Sequence, residues 1–265
     1  MQKKEEKVYS ALLVIIYLAF ISLGLPDTLL GSAWPQMHIE LNASLSSAGI
    51  ITMIISLGTV ISSLFSDRLN IKLGTGKVTA ISVLMTAVAL LGFSLSHSFI
   101  ILCVLAVPYG LGAGAVDAAL NNYVALHYSS KHMSWLHCFW GVGASIGPYI
   151  IGTCMAHGLG WRGGYSVISV LQFTLTAALF ITLPLWKKVE NSENNVSNGN
   201  NERTQEEPQE RKAKSLSEVL HIKGVIYILF AFFCYSAVEQ TTTLWCASYL
   251  VLNRSIDSNT AAKFA

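Results

Sequence analysis

Residues 9–33 read YSALLVIIYLAFISLGLPDTLLGSA, a run of 25 residues in which Asp27 is the only charged side chain. About 20 consecutive apolar residues are enough for a helix to cross the hydrocarbon core of a bilayer. The run is longer than the apolar core of a signal peptide, lacks a cleavage site of small residues, and is followed by further apolar runs. It therefore predicts a transmembrane helix rather than a leader.

Six further apolar runs follow the first. The chain is 52% hydrophobic and only 12% charged, whereas a soluble domain carries about 25% charged residues. The seven predicted spans cover residues 9–33, 47–65, 78–94, 99–126, 134–155, 164–185 and 224–250. This pattern predicts an all-α, multi-pass protein of the lipid bilayer. A basic stripe with interleaved aromatic residues is missing from the sequence, so nucleic acid is not an expected partner.

Basic residues are distributed unevenly between the connections. The segments before the first span and after the second, fourth and sixth spans hold 14 of the 17 Lys and Arg residues. Cytoplasmic loops of membrane proteins carry an excess of basic side chains. We therefore expect a cytoplasmic N-terminus and a location in the cell membrane.

The connection after the sixth span differs in composition from everything before it. Residues 191–210 read NSENNVSNGNNERTQEEPQE, a pattern typical of a disordered segment because it offers almost no apolar surface to bury. Ser215 and Glu218 then form a capping-box pattern, which predicts a short amphipathic helix on the cytoplasmic membrane surface. This long connection indicates a boundary between two helical bundles.

The predicted organisation has three parts. Residues 1–185 form a six-helix transmembrane bundle, and residues 186–222 form a cytoplasmic linker. Residues 223–265 contain the first helix of a second bundle and the beginning of the next helix. We expect the chain to be truncated, with the rest of this C-terminal bundle missing.

Three of the 15 acidic residues lie inside predicted spans, namely Asp27, Asp117 and Glu239. An ionised side chain at mid-bilayer costs at least ~2.5 kcal/mol on insertion scales, and the predicted spans contain no Lys or Arg to pair with these three. They must be protonated, hydrogen-bonded, exposed to a water-filled cavity, or paired with a cation from solution. Removal from water favours the protonated form of a carboxyl group, which is the chemistry that a proton-coupled transporter needs. The structural alternative is a protonated carboxyl group that links helices by a hydrogen bond.

Other polar and aromatic residues accompany the three acids. Asn121, Asn122 and Gln240 lie close to them in the sequence and are candidates to hydrogen-bond a solute. Trp34, Trp140 and Trp245 are candidates to stack on a sugar ring, or to anchor helix ends at the membrane interface. For His137, a packing or capping role is favoured. Gly110-xxx-Gly114 and Gly143-xxx-Gly147 favour close helix packing.

Metal-ligand spacings and the HExxH and GxSxG motifs are missing, so no metal, no cofactor and no enzymatic activity are expected.

Six spans, a long linker and a further span resemble the layout of the major facilitator superfamily. Residues 63–72, SLFSDRLNIK, resemble the signature loop between its second and third helices, with Asp67 and Arg68 at the positions of the Asp-Arg pair. The resemblance implies that these two residues belong to a loop involved in conformational change. It covers nearly the whole chain but only the N-terminal half of such a protein.

Three further stretches are similar to fucose permease and its sugar-transporting relatives. They are GLPDTLLGSAWP (24–35), GLGAGAVDAALNN (110–122) and WLHCFWGVGASIGP (135–148). In that branch, carboxylates on the first and fourth helices face a central cavity, and the resemblance implies these roles for Asp27 and Asp117. The seventh helix faces the same cavity, which implies a place there for Glu239. The stretch Gly143-xxx-Gly147-Pro148 also resembles the fifth-helix motif of proton antiporters, so the direction of coupling stays open.

Two classes of function are compatible with these features. The first is a secondary active, proton-coupled transporter that moves a sugar or similar small polar solute by alternating access. The resemblance to fucose permease implies that it is a symporter. The second is a membrane sensor or subunit that binds without transporting, or an inactive truncated half of a transporter. A soluble signalling domain would favour the second class, and the sequence contains none.

Overall fold

A computed structural model describes residues 2–200 and 216–264 of the chain. Those residues form only helices and their connections. The helices are α1 (Gln2–Asp27), α2 (Leu29–Glu40), α3 (Ala48–Leu73), α4 (Thr75–Leu95), α5 (Phe99–His127), α6 (Ser130–Ala156), α7 (Gly160–Asn200), α8 (Leu216–Leu220), α9 (Val225–Arg254) and α10 (Ser258–Phe264). In the described part, seven segments are long and apolar enough to cross a membrane, with α1 and α2 together making the first. The prediction of seven spans in an all-α membrane protein is confirmed.

The first span is broken beside Asp27. Helix α1 ends at Asp27, and α2 begins at Leu29. Pro26 lacks the amide that would donate to the Ser22 carbonyl one turn earlier. The side-chain amide Nε2 of Gln172 on α7 donates to that Ser22 oxygen instead, at 2.6 Å. The break is thus stabilised by a neighbouring helix, as irregular backbone at membrane depth requires.

A second backbone carbonyl that loses its helical donor to a proline also receives a hydrogen bond from a side chain of another segment. Pro148 within α6 cannot donate to the carbonyl of Ala144. The hydroxyl Oγ1 of Thr28, the residue between α1 and α2, donates to Ala144 O at 3.0 Å. The broken point of the first span and the proline site of α6 therefore stabilise each other.

Glycines bring α1 and α6 into backbone contact. A Cβ atom on Gly24 would collide with the Trp140 carbonyl, and one on Gly143 would collide with the carbonyl of Ile21. A Cβ atom on Gly147 would meet the Leu25 carbonyl. Small residues allow this approach because they add no bulk between helix backbones. The packing role predicted for Gly143-xxx-Gly147 agrees with these contacts.

Glycines also bring the backbones of α3 and α5 into contact. Gly110 and Gly114 lie against the carbonyls of Ile55 and Thr59, where a Cβ atom would not fit. The Thr59 hydroxyl also donates to Gly110 O at 3.3 Å. Helix α3 is thereby fixed to α5 along one wall of the bundle.

Four residues tie the helix ends together at what we call the Glu40 end of the bundle. Glu40, the last residue of α2, accepts hydrogen bonds from Trp161 Nε1, at 3.0 Å, and from the Arg162 guanidinium. Arg162 Nε also donates to the Ser96 carbonyl after α4, at 3.2 Å. The charge of Arg162 is therefore compensated by Glu40.

Helix α7 extends beyond the predicted end of the sixth span. It continues to Asn200, whereas the sequence analysis places the start of a disordered linker at residue 186. Trp186 and Val189 are each only 2% exposed, and the Trp186 ring lies against Gly76 on α4. This burial stabilises the first turn of α7 beyond residue 185. Residues 201–215 lie outside the described part, and α8 stands where the capping box predicts a short helix.

The signature stretch lies in a helix rather than a loop. Residues 63–72 are all within α3, and Gly74 alone joins α3 to α4. Gly74 has a φ of 81°, a left-handed conformation that glycine adopts without strain. Asp67 and Arg68 are exposed in the last turns of α3, so the sequence prediction of a loop for them is wrong. The connection is short because glycine makes so tight a turn possible.

The seventh span contacts the bundle mainly through its second half. Gly31 of α2 lies against the backbone of Thr243 and Leu244, and Ala247 and Ser248 are buried. In the first half of α9, Phe233 is 68% exposed and its neighbours are similarly open. Helix α10 packs on α6, where Gly152 lies against Asn259 O. The helices therefore close together at the Glu40 end and separate toward the other end.

Candidate solute cavity

A cavity of about 870 Å³ lies among α1, α2, α3, α5, α6 and α9. Residues of α4 and α7 form its back wall. Its polar lining consists of Asp27, Thr52, Ser56, Thr59, Tyr109, Asp117, His137, Trp140, Tyr165, Tyr235, Ser236, Glu239, Gln240 and Thr243. Solute sites have volumes of roughly 300–1,000 Å³, so the cavity is large enough for a small organic molecule.

Asp27 lies at the break between α1 and α2 and is held by two aromatic donors. Trp140 Nε1 of α6 donates to Asp27 Oδ2 at 2.8 Å. The Tyr109 hydroxyl of α5 donates to Asp27 Oδ1 at 3.3 Å. Donors from two different helices thus fix the carboxyl group at the cavity wall.

Asp117 lies two turns from Tyr109 on α5 and has a different environment. It accepts a hydrogen bond from Asn121 Nδ2, one turn later on the same helix, at 3.0 Å. His137 of α6 lines the same cavity. A carboxyl group and an imidazole facing one water-accessible space can exchange a proton with each other or with solvent.

Glu239 reaches the cavity from α9, together with Tyr235, Ser236, Gln240 and Thr243. The negative charges of Asp117 and Glu239 both act on Asp27. The three acids that the sequence singled out therefore meet around one cavity, although they come from three helices. Among the described lining residues there is no Lys or Arg, so this part of the cavity favours protons, cations or neutral hydroxyl groups over anions.

Several predicted site residues lie elsewhere. Trp34 is 0% exposed, and its Nε1 donates to the Leu45 carbonyl at 2.7 Å. It packs within the bundle because its polar atom finds a backbone partner there, so it does not contact the cavity. Trp245 packs partly buried against the same core. Asn122 is exposed on α5 and does not line the cavity, and Asn121 acts through Asp117.

The structure also adds residues that the sequence reasoning missed. Phe93, Tyr109 and Tyr165 line the cavity, and so does His137, for which a packing or capping role was expected. Tyr109 directly precedes the Gly110-xxx-Gly114 motif, and its hydroxyl bonds Asp27 of another helix, a contact that its sequence position does not reveal. Phe93 and Tyr165 offer no sequence signal either, because an aromatic residue within a span looks the same in sequence whether it faces lipid or a cavity.

The fold and the cavity together define a class: a multi-pass helical membrane protein with a solute-sized, carboxyl-lined interior space. Residues 16–262 match the family model of the Major Facilitator Superfamily. The chain belongs to that superfamily.

Two curated proteins show the range of its relatives. The chain is 26% identical to the uncharacterized transporter y4wD of Sinorhizobium fredii over 116 residues, which cover 43% of this chain and 31% of that protein. It is 25% identical to synaptic vesicle glycoprotein 2B of Rattus norvegicus over 181 residues, which cover 66% of this chain and 26% of that protein. The chain thus matches less than a third of the length of either relative.

Proposed function

We propose that the protein is a secondary active transporter, rather than an enzyme, that carries a small polar solute across the cell membrane with coupling to protons. A sugar is the solute class that the resemblance to fucose permease favours. The observation that carries the proposal is the meeting of Asp27, Asp117 and Glu239 around one cavity in a chain of this superfamily. Intramembrane acids of this kind mark ion and substrate pathways.

The shape of the cavity supports alternating access. The helices are closed at the Glu40 end, where Gly31 contacts α9 and Gly152 contacts α10. With a cytoplasmic N-terminus, the Glu40 end faces the outside, and the cavity opens toward the cytoplasm. A second bundle, packed on the exposed first half of α9, completes the cavity and rocks against the first in this proposal.

The two acids of the six-helix bundle have different roles in the proposal. Both oxygens of Asp27 accept hydrogen bonds, which suits a carboxyl group that is held in place to bind the solute. Asp117 has one amide donor and faces His137, which suits a group that takes up and releases a proton. We therefore assign proton coupling to Asp117.

The test is transport by purified protein in proteoliposomes, first with sugars as solutes. A pH gradient of about one unit should drive roughly tenfold accumulation with one proton per solute. Asp117→Asn should abolish accumulation but retain solute exchange at equal concentrations on both sides, because the variant keeps the cavity and loses only the protonatable group. Glu218→Gln, which neutralises an exposed acid on α8, is the matched control and should accumulate solute like the wild type. Accumulation by Asp117→Asn at the wild-type level would contradict the assignment.

A further inference from the structure

One part of the cavity wall combines a carboxyl group with four aromatic rings. We call it the Asp27 box, and it consists of Asp27, Phe93, Tyr109, Trp140 and Tyr165, all of which line the cavity. Its interpretation rests on the proposed function, since it concerns which solute the same cavity holds.

Three of the rings of the Asp27 box, those of Phe93, Tyr109 and Tyr165, contact one another through Phe93. The ring centroid of Phe93 is 5.6 Å from that of Tyr165 and 6.4 Å from that of Tyr109. Tyr109 and Trp140 point their polar hydrogens at the two oxygens of Asp27, at 3.3 and 2.8 Å. The carboxyl group is therefore positioned by the same residues that supply aromatic surface around it.

Tyr165 adds a hydroxyl group to the Asp27 box. Its side chain is only 1% exposed and lines the cavity, and its hydroxyl makes no hydrogen bond within residues 2–200 and 216–264. That hydroxyl is open to the cavity, so a solute there can serve as its hydrogen-bond partner in place of water.

The acidic and basic side chains that share the cavity with Asp27 are, among the described residues, Asp117 of α5, Glu239 of α9 and His137 of α6. No Lys or Arg lines the described part of the cavity. The Asp27 carboxyl group thus has two hydrogen-bond donors and no basic side chain beside it among the described lining residues.

We propose that the Asp27 box binds the positively charged end of the solute, a protonated or quaternary amine, and that the solute also carries hydroxyl groups. The faces of aromatic rings attract cations, most strongly where water is excluded, and the carboxylate supplies the opposite charge. The Tyr165 hydroxyl and the polar residues of α9 then bind the hydroxylated part. A sugar acid or phosphate would meet three acids without a basic partner among the described lining residues.

The deciding experiment compares two molecules of the same shape and different charge. Choline and 3,3-dimethylbutan-1-ol differ only in that a quaternary nitrogen replaces a carbon atom. Binding to the purified protein in detergent is measured by isothermal titration calorimetry, with D-glucose as a neutral polyol. We expect choline to bind about tenfold tighter than its neutral isostere, or better, from the cation–aromatic and charge contributions together.

Variants locate the binding within the cavity. Asp27→Asn should remove most of the preference for choline, and Trp140→Leu should reduce it by removing an aromatic face and a donor to Asp27. Tyr165→Phe keeps the ring and should retain the preference while weakening the binding of both alcohols. Glu218→Gln should bind both compounds as the wild type does. Since the choline comparison is made on the unaltered protein, it stands even if a variant fails to fold.

The outcomes separate this inference from the proposed function. Equal binding of choline and its isostere, tighter binding of glucose than of choline, or no binding of any of the three would overturn the amine inference. Proton-driven uptake of a neutral sugar in proteoliposomes, together with one of these results, would leave the transporter proposal intact. Tight choline binding without flux of any solute would support the Asp27 box and reject transport.

Discussion

Two interfaces in this molecule depend on glycine, and they join different parts of it. Between α1 and α6, Gly24 and Gly143 allow backbone contact inside the six-helix bundle. Between α2 and α9, Gly31 allows the same contact between that bundle and the seventh span. The local chemistry is similar, but the first interface is one of several that surround its helices, whereas α9 contacts the bundle mainly at the Glu40 end.

The difference shows that a small residue has two separate uses in such a fold. Inside the bundle, close contact between backbones fixes two helices to each other. At α2 and α9 the contact closes one end of the cavity, and in the proposed alternating access it would have to form and separate. Glycine suits that second use because backbone surfaces without side chains can part and meet again without repacking.

The largest effect is expected from Gly143→Leu. The new side chain would occupy the space of the Ile21 carbonyl and the Leu25 amide, which are backbone atoms that cannot move aside. We expect loss of folded protein, or destabilisation of about 3 kcal/mol, seen as aggregation in size-exclusion chromatography and a lower melting temperature in detergent. Gly49→Leu is the control, because a Cβ atom at Gly49 meets nothing within 4 Å. A Gly143→Leu variant as stable as Gly49→Leu would show that the α1–α6 contact is not required.

An intermediate effect is expected from Gly31→Leu. Its side chain would collide with α9 only when the Glu40 end is closed, so the variant should fold and favour the state open at that end. A cysteine at Ser236, in a background without the five native cysteines, should react at least several-fold faster with an impermeant maleimide added outside intact cells. Unchanged labelling in Gly31→Leu would mean that the α2–α9 contact does not close the cavity. Gly49→Leu in the same background should label at the original rate.

The smallest effect is expected from Gln172→Leu, which removes the donor to the Ser22 carbonyl. Hydrogen bonds between membrane helices contribute about 1 kcal/mol or less, so the melting temperature should fall by only a few degrees. In a Pro26→Ala background the same substitution should cost less, because the introduced alanine supplies its own backbone amide to Ser22. Thr174→Val is the matched control, since the Thr174 hydroxyl only bonds the Val170 carbonyl of its own helix. Equal costs of Gln172→Leu in the wild-type and Pro26→Ala backgrounds would refute the compensating role of Gln172.

Much of the fold can be predicted from the sequence because the bilayer restricts the choices. Apolar runs of sufficient length predict the seven spans, and the near absence of charge inside them makes Asp27, Asp117 and Glu239 conspicuous. Pro26 and Gly24 mark the weak point of the first span, where the structure has a break at Thr28. Each of these predictions needs only the residues of a single segment, because it depends on the length, charge or helix-breaking residues of that segment.

The remaining features depend on how segments meet. Trp34 and Trp140 are alike in sequence, yet one donates to a loop carbonyl inside the core and the other to Asp27. The extension of α7 depends on the fit of Trp186 against Gly76 of α4, which composition cannot reveal. The Asp27 box draws its residues from five helices, so no single stretch of sequence contains it.

The bond between Gln172 and the Ser22 carbonyl also restricts the order in which this sequence can change. Loss of Gln172 while Pro26 remains leaves a carbonyl oxygen without a donor in the bundle interior, whereas loss after Pro26 has been replaced does not. The route between two such sequences that costs less stability therefore passes through position 26 first. Thr28 and Pro148 are related in the same way, because Thr28 bonds the Ala144 carbonyl that Pro148 leaves without a donor. A substitution in one helix therefore changes the cost of a substitution in another.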